Sequence, residues 1–193
     1  MTASPPLPEV TIRPALEIDG ARFGVYFQDY LAELAALSGA RPDRNGHYGY
    51  DQYDLYWHDP ARAAFFVEYG GSPAGLLLLR ELTDDEMPPG GRSLQVAEIC
   101  VFRGYRRRGV GKRVMRLAAR TAEERGLPLT WSAYMNNGPA NALYSSVLGE
   151  FSARDGAWLT ERTRGIDSSG LARFYYRMVP PRCLQDPRIP HTC

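Results

Sequence analysis

The sequence predicts an α/β domain with a mixed, mostly antiparallel central sheet flanked by helices. Short apolar or β-branched stretches with strand periodicity alternate with amphipathic stretches that have the period of helices. Three predicted strands follow one another as a meander, whereas the later strands are separated by helices. The chain has 193 residues, of which 44% are hydrophobic, so it is long enough to bury a core.

Cap and turn residues divide the first half of the chain into elements. Asp19 is a favourable N-cap and Gly39 a favourable C-cap for a helix whose apolar residues recur at helical spacing. Gly70 and Gly71 mark a tight turn between two antiparallel strands. The predicted elements are a loose, proline-rich segment at 1–8, a strand at 9–13, a helix from 19 to 39, a loop with a short helical turn at 40–60, and strands at 64–69 and 74–82.

The second half is predicted to alternate strands and helices, ending at a proline-rich tail. The most regular helix pattern ends at Gly126, and its predicted buried residues are Val110, Val114, Leu117, Ala118 and Thr121. With no internal repeat or long linker, residues 9–179 are predicted to be one domain. The elements are strand 94–102, helix 109–125, strand 129–134, helix 139–148, strand 151–159, polar loop 162–170, strand 173–179 and tail 180–193.

Composition and charge exclude several classes of protein. The formal net charge of +1 gives no general attraction to nucleic acids or membranes. Cys100, Cys183 and Cys193 are too scattered for a disulfide framework or a metal cluster. No segment resembles a signal peptide, and no apolar run approaches a membrane span of about 18 residues. We therefore expect a soluble, cytoplasmic protein that binds no nucleic acid, membrane or metal.

The most informative segment is the loop from Arg103 to Lys112, which reads Arg-Gly-Tyr-Arg-Arg-Arg-Gly-Val-Gly-Lys. It connects a predicted strand to a predicted helix and contains the only lysine of the chain, Lys112. A helix N-terminus presents unpaired backbone N–H groups at the positive end of the helix dipole. The loop is therefore predicted to hold a pyrophosphate.

Spacing separates the phosphate-binding motifs that this loop could represent. A P-loop requires Gly, four residues and then Gly-Lys-Ser/Thr, but here Gly104 is followed five residues later by Gly109 and then by valine. A dinucleotide fingerprint requires a third glycine where Val114 stands. Nucleic-acid binding would need a wider basic surface than this net charge supports. A solvated arginine-rich turn is the structural alternative, but it would not require Gly111 at the helix start.

The segment from Val101 to Gly111 resembles the acyl-CoA loop of the GCN5-related N-acetyltransferase (GNAT) family. That pattern is Arg or Gln, two residues, Gly, one residue, then Gly or Ala. The resemblance implies the GNAT fold and acetyl-CoA as the acyl donor, with backbone N–H groups of the loop on the pyrophosphate. The coenzyme-binding residues that it implies are Cys100, Val101, Arg106, Arg107, Arg108, Gly109, Val110, Gly111, Lys112, Asn137 and Ala140.

A second segment supports the resemblance independently. Asn137 is followed by alanine three residues on and by Leu143 and Tyr144 six and seven residues on, as in the later family pattern. The family usually closes this helix with Gly-Phe, but here Gly149 comes one residue late and is followed by Glu150 and then phenylalanine. The departure affects the packing of the helix end more than the chemistry.

Acetyl transfer from a thioester to an amine needs a base, a polarised carbonyl and an acid. Glu98 is the only carboxylate of strand 94–102, and its apolar neighbours should raise its pKa towards that of a useful base. The alternative is a carboxylate paired with an arginine. Tyr144 matches the family tyrosine that faces the coenzyme sulfur, so it is the expected acid, with packing on the sheet as the alternative. Backbone groups near Cys100 and Val101 are expected to bind the pantetheine arm and polarise the carbonyl.

The acceptor site is predicted within the tyrosine-rich residues 40–60, because loops after the first strand line this site in relatives. His47, Tyr48, Tyr50 and Tyr53 are the candidate residues. The alternative is that these aromatic residues pack a long loop onto the sheet. No motif in this segment identifies the amine.

The predicted function is acetyl-CoA-dependent N-acetyl transfer to a primary amine, either of a small molecule or of a protein. Relatives generally transfer the acetyl group directly in a ternary complex, without an acyl-enzyme. The competing hypothesis is a non-catalytic acyl-CoA-binding or sensing module that kept the loop and lost turnover. The expected partners are acetyl-CoA as cosubstrate and the amine, and a homodimer is compatible with the family.

Overall fold

The computed structural model describes residues 8–83, 91–153 and 158–185, which form a seven-stranded sheet. Every pair of neighbouring strands is antiparallel except the fourth and fifth, which are parallel. The predicted mixed, mostly antiparallel sheet is confirmed. The strands are β1 (Val10–Pro14), β2 (Arg62–Tyr69), β3 (Ser72–Leu82), β4 (Ser93–Val101), β5 (Leu129–Tyr134), β6 (Leu159–Ile166) and β7 (Ala172–Val179), in the spatial order β1-β2-β3-β4-β5-β7-β6.

Helices cover both faces of the sheet. In the described ranges they are α1 (Gly20–Ser38), α2 (Leu55–His58), α3 (Val110–Arg125) and α4 (Gly138–Ser152). The leucine run of β3 shows the layering, since Leu76 and Leu78 pack under α1 and α2 while Leu77 and Leu79 pack under α3 and α4. A strand buried on both faces needs apolar residues at successive positions, which explains the run.

The ends of α1 and α3 agree with their cap residues. Gly39 has the left-handed conformation, and its N–H donates to the Ala35 carbonyl. Gly126 ends α3 in the same way. Asp19 occupies the N-cap position of α1, but its carboxylate does not cap the helix and instead accepts hydrogen bonds from Arg13 and from the Leu16 N–H.

Two predictions for the C-terminal part are wrong. Phe151 does not begin a strand, because α4 continues to Ser152 and buries Phe151 against Trp158, with 5.1 Å between ring centroids. The predicted polar loop 162–170 is a strand as far as Ile166. This strand, β6, lies at the sheet edge and is mostly exposed, so its sequence lacks the apolar alternation of a half-buried strand.

The buried face of α3 is also wider than predicted. Leu117 and Thr121 are only half-buried, whereas Met115, Ala119 and Ala122 are buried. The helix packs against β1, β4 and β5 and also against α4, which accounts for the wider stripe.

Some predictions fall outside the described residues. These include most of the N-terminal segment 1–8, the loop residues 84–90, and positions 154–157 and 186–193, which contain Cys193. The described start of the predicted tail packs on the protein, because Cys183 is buried in a short 3-10 turn. None of the helices in the described ranges has the length and apolar character that would let it cross a membrane.

A β-bulge in β4 determines which way its later residues face. Leu78 pairs with Glu98 but Leu79 pairs with Val96, so Ala97 is an extra residue in β4. Alternate residues of a strand face opposite sides, and one extra residue reverses that alternation. As a result, Val96 packs under α3 and α4, whereas Glu98 contacts Tyr30 of α1.

The parallel pairing of β4 with β5 ends at Val96, directly before the bulge. It joins Leu94–Val96 to Leu129–Trp131 only, and the rest of β5 pairs with β7 alone. The strands therefore part beyond Val96 and leave backbone N–H and C=O groups of β4 without a strand partner on that side. Such groups can bind an extended ligand as an added strand would.

Gly75 allows β3 to approach β4 closely beside this opening. A Cβ atom on Gly75 would lie 2.1 Å from the Cys100 carbonyl oxygen. We expect Gly75→Ala to lower the free energy of unfolding by about 1–3 kcal/mol because the strands must shift apart. Chemical denaturation measures this change.

The matched control is Gly149→Ala in α4, where a Cβ atom would meet nothing within 4 Å. This replacement should raise the free energy of unfolding by about 0.5–1 kcal/mol through helix propensity. A Gly75→Ala protein as stable as the wild type would contradict the close approach.

Candidate active site

The loop between β4 and α3 has an unusual backbone conformation. A 3-10 turn at Arg103–Tyr105 follows β4, and Arg107 and Gly109 then adopt φ angles of 64° and 77°. Within the described ranges, Arg107 is the only residue other than glycine with a positive φ. Backbone strain of this kind, about 1–3 kcal/mol, persists where the surrounding structure enforces it and is common at ligand-binding loops.

The start of α3 provides donors that the helix does not use. The helix begins at Val110, directly after Gly109, and no side chain caps its first amides. The N–H groups of Val110, Gly111 and Lys112 precede the first helical hydrogen bonds. A Cβ atom on Gly109 would meet no atom within 4 Å, so the loop opens onto free space. These uncapped amides at the positive end of a helix fit a pyrophosphate group.

The loop borders a cavity of about 480 Å³ between α1, the end of β4, and the first turns of α3 and α4. The size is ordinary for a small-molecule site. Arg108 is the one residue predicted to bind the coenzyme that does not line it, and its guanidinium lies 5.9 Å from the centre of the Tyr105 ring. The other predicted residues line the cavity: Cys100, Val101, Arg106, Arg107, Gly109, Val110, Gly111, Lys112, Asn137 and Ala140.

Ion pairs connect the loop to α1. Arg106 donates from Nε to the Val101 carbonyl at 2.8 Å and from Nη2 to Glu33 at 2.5 Å. Arg103 donates to the same carboxylate at 2.8 Å. Burial would raise the pKa of Glu33, but Arg106 and Arg103 together lower it. Glu33 thus remains ionised and holds the loop against the helix.

A second set of ion pairs connects α3 to α4. Lys112 Nζ lies 3.2 Å from Ser146 Oγ and 3.1 Å from Glu150. Arg116 makes two hydrogen bonds, of 2.8 and 2.7 Å, to Glu150. Arg116 and Lys112 lower the pKa of Glu150 to about 2, against the effect of burial. These contacts fix the relative position of the two helices beside the cavity.

The segment at the start of α4 is held by its asparagines. Asn137 is the N-cap, and its Oδ1 accepts the Ala140 N–H at 3.3 Å. Asn141 donates to the carbonyls of Tyr134 and Met135 at the end of β5, at 3.0 and 3.1 Å. The segment therefore anchors α4 to the edge of the opening between β4 and β5.

Tyr144 projects from α4 into the cavity. Its ring packs against Trp131 and Tyr176, at centroid distances of 5.7 and 5.3 Å. Within the described ranges its hydroxyl has no hydrogen-bond partner and is free to meet a ligand. Burial raises the pKa of Tyr144 well above its ordinary value, and the charge of Glu98 raises it further. The phenol therefore stays protonated at neutral pH.

Glu98 lies on the opposite face of the sheet from the ring of Tyr144. Tyr30 donates a hydrogen bond of 2.5 Å to Glu98 Oε2. Burial raises the pKa of Glu98 to about 7, although Tyr30, Arg173 and Tyr50 act in the opposite direction. A carboxyl group with this pKa can accept a proton at neutral pH. Although the two residues lie on opposite faces of the sheet, the charge of Glu98 raises the pKa of Tyr144.

The candidate acceptor residues occupy different environments. Tyr50 lies beside Glu98 and affects its pKa. Tyr53 stacks on Phe27 at 5.3 Å, and the Tyr48 backbone is held by two hydrogen bonds to Gln28. The side chain of His47 is exposed, and its backbone closes a turn with Asp43. Of the four candidate acceptor residues, only Tyr50 lies next to a predicted catalytic residue.

Sequence reasoning missed the contribution of α1 to the site. Tyr30, Leu34 and Leu37 line the cavity, although their spacing is also that of a helix face packed on the core. Periodicity does not distinguish a face that packs on the core from one that lines a cleft. Arg173 of β7 was likewise missed, because an arginine in a strand carries no pattern that indicates a partner.

Comparisons with known proteins agree with this geometry. The model of the Acetyltransferase (GNAT) family matches residues 30–149, which include both the loop and the start of α4. None of the curated protein sequences matches the chain.

The fold of this chain resembles those of several solved structures. One is the aminoglycoside acetyltransferase AAC(6')-Ib in complex with coenzyme A, with a TM-score of 0.61 and 15% identity, covering 94% of this chain and 100% of that one. Another is NAA60 of Arabidopsis thaliana in complex with acetyl-CoA, with a TM-score of 0.60 and 13% identity, covering 89% and 99%.

A third is the ribosomal-protein-S18-alanine N-acetyltransferase of Escherichia coli, with a TM-score of 0.53 and 17% identity, covering 89% of this chain and 94% of that one. At these identities the similarity establishes the fold, and the match of the family model establishes the family. Because the matched residues span more than half of the chain and include the loop and the start of α4, the chain belongs to the acetyltransferase (GNAT) family.

Proposed function

We propose that this protein transfers the acetyl group of acetyl-CoA directly to a primary amine, of a small molecule or of a protein, in a ternary complex. The observation that carries the proposal is one cavity. It is lined by Tyr144, by Tyr30, whose hydroxyl bonds Glu98, and by Val110, Gly111 and Lys112, whose free amides are here called the phosphate cradle. The donor site and the proposed acid thus share one cavity, and the proposed base adjoins it through its hydrogen bond to Tyr30. Residues 9–179 are the proposed catalytic domain.

The donor site is built from backbone. The amides of Val110, Gly111 and Lys112 bind the pyrophosphate, and the free edge of β4 around Cys100 and Val101 binds the pantetheine arm. Bound in this way, acetyl-CoA supplies a thioester as the electrophile. An N–H of the same edge polarises its carbonyl. The side chain of Arg106, which bonds the Val101 carbonyl, stabilises the end of that edge.

Glu98 removes the proton that the amine must lose as its nitrogen attacks. Its pKa of about 7 lets it accept that proton, directly or through water. Tyr144 donates a proton to the departing thiolate, because its phenol is kept neutral by burial. Burial also raises the pKa of Cys100 to about 12, and a neutral thiol is a poor nucleophile. Direct transfer without an acyl-enzyme is therefore favoured.

The acceptor is an amine that reaches Glu98 from the side of Tyr50. The names of two similar structures indicate their acceptors, an aminoglycoside for one and a ribosomal-protein alanine for the other. Either class presents a primary amine, and the proposal covers both.

The test is release of thiol from acetyl-CoA in the presence of a panel of amines that includes aminoglycosides and peptides with free N-termini. We expect at least one amine to stimulate release, and Glu98→Gln to reduce that turnover by about 10²-fold or more because the base is lost. Coenzyme binding without stimulated release by any amine would instead support the non-catalytic module.

Tyr144→Phe is expected to lower kcat by about 10²-fold because the thiolate then leaves without a proton from the enzyme. The dissociation constant for coenzyme A, measured by calorimetry, should change by no more than about twofold, since only a hydroxyl is removed. The control is Tyr175→Phe, which removes an exposed hydroxyl from β7. Equal losses in kcat and in coenzyme affinity would refute the role of Tyr144 as acid.

Gly109→Val is expected to weaken coenzyme A binding by about 10²-fold or more. The new side chain would fill the space in front of the cradle, and a β-branched residue is strained at a φ of 77°. Gly104→Ala in the preceding turn is the control, because a Cβ atom there meets nothing within 4 Å and its φ is not positive. Unchanged coenzyme affinity in Gly109→Val would contradict the proposal that the phosphate cradle binds the pyrophosphate.

A further inference from the structure

Tyr30 lies outside both segments that carry the family pattern. It is in the middle of α1, and its hydroxyl oxygen is 2.5 Å from Glu98 Oε2. Short hydrogen bonds to an ionised acceptor are among the stronger ones in proteins. The contact links a helix on one face of the sheet to the carboxylate that the bulge in β4 turns towards it.

The direction of this hydrogen bond is set by the chemistry of the two groups. An ionised carboxylate can only accept, and a phenol can donate. Burial raises the pKa of Tyr30 well above its ordinary value, and the charge of Glu98 raises it further. Tyr30 therefore stays protonated and donates to Glu98 at neutral pH.

Tyr30 lies between a packed aromatic ring and the coenzyme cavity. Its ring packs against Phe27 at a centroid distance of 5.9 Å, and the same residue lines the coenzyme cavity. One turn further along α1, Glu33 binds Arg103 and Arg106 of the loop. The same face of α1 thus holds the base through Tyr30 and the phosphate cradle through Glu33.

Two other groups also favour the ionised form of Glu98, Arg173 through its charge and Tyr50 through a hydrogen bond. The single cation among the groups that shift its pKa is Arg173, which lies over the Tyr134 ring and makes a 2.6 Å ion pair with Asp167. Its charge is therefore shared with another carboxylate. The titratable groups that face Glu98 are Tyr30 from α1, Tyr50 from the preceding loop, Tyr56 from α2, Cys100 from β4, Tyr144 from α4 and Arg173 from β7.

We propose that Tyr30 is the positioning residue of Glu98: its hydroxyl fixes Oε2 and favours the carboxylate over the neutral carboxyl group. The catalytic part of this proposal rests on the proposed function. The effect of Tyr30 on the ionisation of Glu98 does not. Tyr30 forms no bond to substrate and loses no proton in the reaction, so its effect passes entirely through Glu98.

The direction in which Tyr30 shifts the pKa of Glu98 follows from which form of the carboxyl group it stabilises. Burial alone favours the neutral carboxyl group, and the donated hydrogen bond favours the carboxylate. Without the hydroxyl, the pKa of Glu98 should rise by about one to two units, the usual size for a hydrogen bond to a charged group. The ionised fraction at pH 7 would then fall from about one half to about one tenth or less.

The first measurement is the pH dependence of kcat/KM in Tyr30→Phe, with the amine that the wild type uses best. The acidic limb should move up by about one to two pH units, and activity should recover at pH values above the new limb. Tyr26→Phe is the matched control, since Tyr26 lies one turn earlier in α1 and packs on Phe102. A uniform loss of activity at every pH, with an unmoved limb, would overturn the proposal in favour of a packing role.

The second measurement does not depend on turnover. In protein labelled with ¹³C at the glutamate Cδ atoms, the signal of Glu98 is identified by its loss in Glu98→Gln. Its titration midpoint should rise by about one to two pH units in Tyr30→Phe and stay in place in Tyr26→Phe. An unmoved midpoint in Tyr30→Phe would overturn the proposal. Absence of turnover in the wild type would defeat the proposed function alone, because this titration would still decide the role of Tyr30.

Discussion

The geometry of the site depends on one extra residue, Ala97, in the middle of β4. Because Ala97 has no counterpart in β3, Glu98 faces α1 rather than the core beneath α3 and α4. In a regular strand Glu98 would share the face of Val96, where no hydroxyl of α1 could reach it and an ionised group would be costly. The pairing with β5 ends at the same point, so the bulge also marks the start of the cleft.

The helices around this cleft are tied to one another by charges. Glu33 joins α1 to the arginines of the loop, and Glu150 joins α3 to α4 through Arg116 and Lys112. These pairs are partly exposed, so their contribution to stability is modest and falls with salt. Their main consequence is geometric. They hold the first amides of α3 and the phenol of α4 around one cavity.

Burial raises the pKa of both proposed catalytic groups, but the two groups have opposite roles in proton transfer. It favours the neutral form of each, which raises the pKa of Glu98 to about 7 and leaves the phenol of Tyr144 protonated. The first can therefore accept a proton at neutral pH and the second can supply one. Their side chains come from opposite faces of the sheet, yet the charge of Glu98 still raises the pKa of Tyr144.

The sequence by itself determined the local chemistry and most of the elements. Glycine spacing and the helix that follows it predict free amides at the start of α3, because the first N–H groups of a helix have no partner within it. Helix and strand periods located α1, α3 and most strands, but β6 escaped because an exposed edge strand has no apolar alternation. Tertiary structure alone decided that Tyr30 meets Glu98, since that contact joins residues 68 positions apart and depends on the bulge at Ala97. A tyrosine on the apolar face of a helix has the same sequence pattern whether it packs in the core or hydrogen-bonds a carboxylate. Only the packing of α1 on β4 shows which of the two roles Tyr30 has.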